Sequence, residues 1–234
     1  MGKVTVVGGK VGMEAPASYK ANFADNDWSA IIEAVQKNKV PDTWVVGDQK
    51  AMTINGTNYA IDIIGKNHDT YTTGGTAPLT FQIHDCYGAT GATMNSAASN
   101  TTGWTSSAMR TTTLPSILAQ MPSKVQTGIK EVNKKTSAGN KSATINTSAD
   151  KLFLLAEIEI FGTTYNSKSG EGSQYAYYAA GNSKVKNLGS NADNWWTRSP
   201  VGGNTKGFCY VNTSGTYSND NANYTLGVAF AFCF

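Results

Sequence analysis

Charge is scarce in this chain. Asp, Glu, Lys and Arg make up 15% of its 234 residues, against about a quarter in ordinary globular domains. The net charge of +3 and pI near 8.6 are too mild to point to nucleic acid. The densest basic segment, Lys130 to Lys135, also holds Glu131 and Val132 and reads as a solvated face or strand edge rather than a phosphate site. With so few charges, the polar surface must come mainly from Asn, Ser, Thr and Gly, which hydrogen-bond well but set up little long-range field.

Other absences narrow the classes further. The three cysteines, Cys86, Cys209 and Cys233, are odd in number and without CxxC spacing, which speaks against a disulfide framework and a structural zinc site; a meeting of Cys209 with Cys233 across neighbouring strands stays open. Only two histidines occur. His68-Asp69 and His84-Asp85-Cys86 can be imagined as metal ligands, but structural roles are the expectation. No apolar run is long enough to span a membrane. Met1 to Met13 has no continuous apolar core of the kind a secretory signal needs. There is no Gly-x-Ser-x-Gly, no Walker A sequence and no dinucleotide fingerprint.

What is present suits a substantial core, since 40% of residues are hydrophobic. Val4, Val6 and Val7 read as a short strand within an N-terminal arm (residues 1–22), either an ordinary edge strand or a contact to a neighbouring subunit. Asp25 or Asp27 is expected to cap a helix with Trp28, Ile31, Ile32 and Val35 on one face, ending before Pro41. Asn55-Gly56-Thr57, flanked by Ala51–Ile54 and Asn58–Ile64, predicts a β-hairpin, because Asn-Gly readily takes up positive φ. Gly88 to Thr102 reads as a long loop, Trp104–Arg110 and Ser116–Met121 as short helical pieces, Val125–Val132 as a strand, and Ser137–Ser148 as a polar excursion. Lys151–Leu155 is expected to be buried on both faces. Val228, Phe230, Phe232 and Phe234 alternate with small residues, predicting a packed strand with which the chain ends in buried structure. Short strands, few helices and long polar excursions together indicate one α+β domain over residues 23–234, rich in irregular structure.

One stretch stands apart. From Tyr210 to Leu226 the sequence is dominated by Asn, Ser, Thr, Tyr and Gly, and apolar segments flank it: Trp195-Trp196 and Phe208 before, Val228–Phe234 after. Anchored ends with a polar middle describe a displayed surface. Tyr supplies large amphipathic contact area at low entropy cost, and Ser, Gly and Asn supply adaptable hydrogen bonds. A second pattern coincides with it. If both adenines of an AAC asparagine codon change freely, every amino acid is reachable except Lys, Glu, Gln, Met and Trp. Those five types account for 40 residues, all at or before Lys206, and none falls in the last 28.

Several segments together resemble a family found in phages and prophages of gut Firmicutes. They are Trp104–Arg110, Lys151–Leu155 with Glu157 and Glu159, Gly170-Glu171-Gly172 with Gln174-Tyr175, Trp195–Pro200, and Gly227–Phe230; Gly47-Asp48 and His68-Asp69 extend the likeness from about Asp25 onward. The resemblance implies a C-type-lectin-like fold of the formylglycine-generating-enzyme kind, and a variable protein of a diversity-generating retroelement, in which a reverse transcriptase rewrites the 3′ end of a gene at adenines. It implies diversification over about residues 201–226, at Tyr210, Asn212, Ser214, Thr216, Tyr217, Ser218, Asn219, Asp220, Asn221, Asn223, Tyr224 and Leu226, with Val201, Gly203 and Asn204 as further members. Trp195, Trp196, Arg198, Phe208 and Val211 would be scaffold, Arg198 holding backbone carbonyls or a carboxylate such as Glu159 or Glu171.

The implied role is ligand binding without catalysis, as a phage tail component that meets a host-cell surface receptor, or another protein or glycan, with neither cofactor nor metal. Its place would be the virion, or the bacterial cytoplasm before assembly, with no membrane insertion. Contacts to other tail proteins through the N-terminus, and a homo-oligomer, stay open. The namesake enzyme activity of the fold needs a reactive cysteine arrangement, for which Cys209 and Cys233 form no motif. A calcium-dependent lectin needs clustered acids, and only Asp220 is acidic in the stretch. Two rivals remain: a non-diversified bacterial surface or defence-associated module of the same fold, and a structural virion subunit.

Overall fold

The computed structural model of the chain describes residues 19–234. The strand expected at Val4–Val7 and most of the N-terminal arm lie outside the described residues.

The first elements follow from local chemistry. Asp27 accepts the Ala30 N–H at 2.8 Å and caps helix α1 (Trp28–Gln36), which buries Ile31, Ile32, Ala34 and Val35. Strands β1 (Gln49–Ile54) and β2 (Thr57–Lys66) are joined by the Asn55-Gly56 turn, with φ of 48° and 78°. Two consecutive positive φ angles match the right-handed strand twist. The register, Ile54 opposite Thr57, places Ile61, Ile63 and Ile64 in the interior. Strand β3 (Leu79–Ile83) pairs with β2 and is buried throughout.

The middle of the chain departs from expectation in three places. The two helical pieces are one continuous stretch, a π-helical turn over Met109–Thr113 running into α2 (Leu114–Leu118), while Trp104 to Ser106 form turns. The first half of the strand expected over Val125–Val132 is instead the end of helix α3 (Ser123–Gly128); Val125 in the helix and Ile129 just after it are buried in the core, and only Val132 begins a strand. Glycine at 128 lets α3 lie against α1, because a Cβ there would come 2.8 Å from Ile32. The polar excursion of Ser137–Ser148 is shorter than expected: β4 (Val132–Ser137) and β5 (Ile145–Asp150) form a hairpin around residues 138–144. Alternating polar side chains concealed these strands, since Lys134, Thr136, Ser148 and Asp150 occupy the inward positions.

Strand β6 (Leu152–Phe153) begins the buried run Leu152–Leu155, which leads into helix α4 (Glu157–Phe161); α5 (Ala176–Ala179), β7 (Lys186–Leu188) and β8 (Asn191–Asp193) follow. Strands β9 (Trp195–Pro200), β10 (Gly207–Val211) and β11 (Tyr217–Asn221) make a separate three-stranded sheet in the order β11-β10-β9. Strand β12 (Ala231–Cys233) returns to the main sheet, whose order is β1-β2-β3-β12-β6. The ring alternation expected near the C-terminus is realised: Phe232 stacks on Phe81 at 5.3 Å, and Phe234 meets Trp28 at 5.9 Å. The architecture is α+β, with several small antiparallel sheets around one hydrophobic core.

The three cysteines are free and buried, and Cys209 and Cys233 stand in different sheets. The pairing left open from the sequence is therefore not made.

Candidate functional site

Strand β9 is buried along its whole length, and four β10 residues (Gly207, Phe208, Cys209 and Val211) are buried with it. Trp195 and Trp196 are fully enclosed, and their ring N–H groups donate to the Lys184 and Ala92 carbonyls at 2.9 Å. The tryptophans thus tie the sheet to surrounding loops while burying the largest side chains available. Strand β11 rests on this base as the outer strand. Glycine at 207 is required by close approach, since a Cβ would fall 2.3 Å from the Asp220 carbonyl oxygen.

The register separates the two faces of β11. Tyr217 lies opposite Val211 and Asn219 opposite Cys209, whereas Ser218 lies opposite Tyr210 and Asp220 opposite Phe208. Bonds from Asn212 N–H to the Thr216 carbonyl and from Ala222 N–H to the Lys206 carbonyl bracket the ladder. Counting in steps of two between them, Ser218 and Asp220 bond β10 through their backbone, and the backbone groups of Tyr217 and Asn219 point away from it.

Of the fifteen residues expected to form the recognition surface, thirteen are exposed or half-exposed, and Val201 and Leu226 are buried. Leu226 is bridged to Ala92 by two backbone bonds, and Val201 packs near Gly207, so both anchor the surface rather than display it. Asn204 and Asn212 are half-exposed, but their side-chain oxygens shape turns. Asn204 accepts from the Lys206 and Gly207 N–H groups, and Asn212 from those of Ser214 and Thr216. Tyr217 and Tyr224 are the most exposed large side chains of the stretch, at 43% and 49%.

Tyr217 does not stand alone. Its ring stacks on Tyr165 with centroids 3.6 Å apart and planes 4° from parallel. Phe161, at the end of α4, is 6.0 Å from both rings and nearly perpendicular to each, so it stands beside the stack rather than over either ring. The Lys184 ammonium lies 5.9 Å from the Phe161 ring. The loop bearing Tyr165 is fixed from below by Glu157, a wholly buried carboxylate that accepts the N–H groups of Tyr165, Asn166 and Ser167 at 2.9 to 3.1 Å. Neither Tyr165 nor Glu157 was singled out as a contact or a clamp from sequence. The one available signal was a carboxylate inside the apolar run from Leu152 to Ile160, a pattern that demands buried hydrogen-bond donors.

Beneath the sheet lies a charged network. Arg198, expected as scaffold, bonds Glu159 through both terminal nitrogens at 2.6 and 2.8 Å and also donates to the Leu154, Lys135 and Glu171 carbonyls. Both candidate roles of Arg198 are thus filled at once, with Glu159 as the carboxylate. Lys134 reaches Asp69 at 2.6 Å and Glu159 at 2.9 Å. The solvated-face reading of Lys130–Lys135 therefore fails at Lys134, which is 2% exposed, although Lys130 and Lys135 are exposed. Burial alone would raise the Asp69 carboxyl, but the Lys134 charge and hydrogen bonds from Lys134 and Thr80 hold it down at about 2. Burial instead dominates at Glu171, which is pushed up to about 7 despite bonds from the Ser137 N–H and the Ser199 hydroxyl.

The imagined metal ligands are placed in two separate clefts. His68 stacks on Tyr175 at 4.0 Å beside Asp69, in a cleft of about 710 Å³. His84 bonds buried Asp62 at 2.7 Å in another of about 510 Å³, and Asp85 accepts the Asn187 N–H. Each of these side chains has a structural partner, and among the described residues no group of three or more His, Cys, Asp or Glu side chains is arranged so that it could hold a metal ion. No described helix is long and apolar enough to cross a membrane.

Residues 80–234 match the family model described as a domain of unknown function, DUF6273. The chain belongs to this family. The matched segment begins inside β3 and takes in the charged network's Lys134, Glu159, Glu171 and Arg198, together with the whole β9–β11 sheet, so the site lies within the family's own domain. No curated protein matches the chain, and no solved structure does.

Proposed function

We propose that this protein is a non-enzymatic recognition module with a C-type-lectin-like fold, diversified by a retroelement and carried on a phage tail to meet a host-surface ligand. The observation that carries this reading is a coincidence of two independent boundaries. The residue types unreachable from a mutable AAC codon stop at Lys206. One residue later begins the buried strand on which the exposed outer strand β11 is laid. A segment that can be rewritten without loss of the fold needs such a base: Trp195, Trp196, Phe208 and Val211 are all buried, and most of the displayed side chains sit on β11 and the turns at its two ends.

Binding by tyrosine stacking and neutral hydrogen bonds depends only weakly on salt, because few charges are there to be screened. Two measurements test the proposal. Sequencing the DNA around the gene should find a reverse-transcriptase gene and a near-copy of the 3′ end that differs only at adenines; neither would be present for a non-diversified surface or defence module. Replacing Tyr217 and Tyr224 with Ala should abolish attachment of tails, or of the purified protein, to host cells. Unchanged attachment would reduce the protein to a structural virion subunit.

A further inference from the structure

We propose that Lys134 and Asp69 condense after folding into an intramolecular amide bond, with Glu159 carrying the proton. This chemistry is independent of the recognition reading and belongs to the charged network under the sheet. The Lys134 ammonium nitrogen lies 2.6 Å from Asp69 Oδ1 and 2.9 Å from Glu159 Oε1. All three side chains are nearly closed to water, at 2 to 4% exposed. The Phe153 ring, its centroid 4.3 Å from the nitrogen, and Tyr175 wall the pair in. The other buried lysine among the described residues, Lys186, donates to the Ile83 and His84 carbonyls instead. A buried ion pair gives up the hydration of both charges and returns little net stability. Condensation removes the two charges and leaves Glu159 balanced by Arg198.

The groups that the step needs are already placed. Thr80 and Tyr175 donate their hydroxyls to Asp69 Oδ2 at 2.6 and 2.9 Å, as the donors of an oxyanion hole do. Burial and the Asp69 charge push the Tyr175 hydroxyl well above its ordinary range, so it stays a donor. A nitrogen hydrogen-bonded to Oδ1 stands close to the about 3–3.5 Å from which a bond to the carboxyl carbon forms. Arg198 grips both Glu159 oxygens at 2.6 and 2.8 Å, and so fixes Oε1 against the amine.

The atoms balance without a co-reactant. A proton passes from the Lys134 ammonium to Asp69 Oδ1, which gives a neutral amine and a carboxylic acid. The amine lone pair attacks Cγ, and the carbonyl electron pair moves onto Oδ2, where the two hydroxyls receive it. Glu159 takes a proton from the nitrogen and passes it to Oδ1. The Oδ2 electron pair re-forms the carbonyl, the Cγ–Oδ1 bond breaks, and water leaves. Its way out is the cleft of about 710 Å³ that Asp69, Lys134 and Glu159 line. The ionised pair, with Asp69 held at about 2, is the state before condensation. Each chain crosses that barrier once, so a slow step is enough. The amide N–H remains beside Glu159 and its oxygen beside Thr80 and Tyr175, so no buried polar group is stranded. The bond ties the β2–β3 connection to β4 and constrains the unfolded chain.

Mass spectrometry of the full chain, purified, reduced and unfolded, tests this directly. The chain should be lighter than its sequence by one water, and a protease digest should hold a branched peptide joining Asp69 to Lys134. Lys134→Arg keeps the charge but cannot condense, and should have its full mass. The native chain and Glu159→Gln are also made as inclusion bodies and refolded, and the loss of water is timed by mass. Glu159→Gln should lose it at least about a hundredfold more slowly. Full mass in the native chain overturns the proposal and leaves an ion pair, with the recognition reading untouched. A missing water located elsewhere in the digest overturns it equally. Equal rates in the native chain and Glu159→Gln overturn the role of Glu159. Where a variant does not refold, the mass and branched peptide of the native chain still decide whether the bond exists.

Discussion

Arg198 and Glu159 meet through two charge-assisted hydrogen bonds in a part of the core where both side chains are almost wholly shielded from water, at 0% and 2% exposed. Removing one member of such a pair strands the other. Arg198→Met should therefore destabilise the protein by about 3–5 kcal/mol, read by urea or thermal denaturation. Glu159→Gln should cost less, since the amide oxygen still accepts one bond. A loss below about 1 kcal/mol for Arg198→Met would mean that Lys134 alone satisfies Glu159.

Glu171 makes stability depend on pH in a direction opposite to the usual carboxylate. Its folded value, about 7, lies above the ordinary carboxylate value of 4.5 because burial penalises the charged form, so the folded state binds the proton more tightly than the unfolded chain does. The resulting stabilisation is complete below 4.5 and disappears as the pH rises through about 7. In the uncondensed chain Asp69 acts in the other sense: held down at about 2 from 3.8, it contributes above 3.8 and is lost as the pH falls toward 2. Denaturation midpoints should thus decline from pH 5 to 8 in the native protein, and Glu171→Gln should flatten that decline.

Exposed and buried positions of the β9–β11 sheet should separate sharply under substitution. Tyr217→Ala and Tyr224→Ala remove half-exposed rings and should shift stability by no more than about 1 kcal/mol. Phe208→Ala and Trp196→Ala open cavities under the sheet and should cost about 3–5 kcal/mol each. Comparable losses at all four positions would show that β11 supports the fold instead of resting on it.

Glu157→Gln should loosen one loop without unfolding the domain. All three N–H groups converge on one carboxylate oxygen, so the amide can keep that acceptor, but it loses the negative charge that strengthens these bonds and turns an NH2 toward the Asn166 N–H that the other oxygen now shares. Hydrogen exchange at Tyr165, Asn166 and Ser167 should quicken selectively, while the amides of β3 and β12 keep their protection. Uniform protection across the chain would assign the loop's order to other contacts.

Much of this fold was legible in the sequence where periodicity and turn chemistry agree. The Asn55-Gly56 hairpin, the Asp27-capped helix and the Phe230–Phe234 alternation each carry a local signal strong enough to fix an element. The β4–β5 hairpin was missed for a physical reason. Lys134, Thr136, Ser148 and Asp150 are polar residues facing inward, made tolerable by partners that are distant in sequence, such as Asp69, Glu159 and Arg198. Val125–Val132 misled because β-branched residues at helical spacing also suit a short buried helix. At the candidate site, the displayed stretch was legible from composition and from the flanking aromatics. The Tyr165 stack was not, since it depends on a loop some fifty residues away whose position is set by one buried carboxylate.

The place of β11 in the sheet order bears on inheritance. A central strand answers to two neighbours, so a change in its side chains is felt on both sides and is often rejected. An outermost strand answers to one, and alternate residues of β11 direct their backbone away even from that neighbour. Under the proposed diversification, substitutions written on this strand would end mostly at the surface and leave the packing beneath it in place.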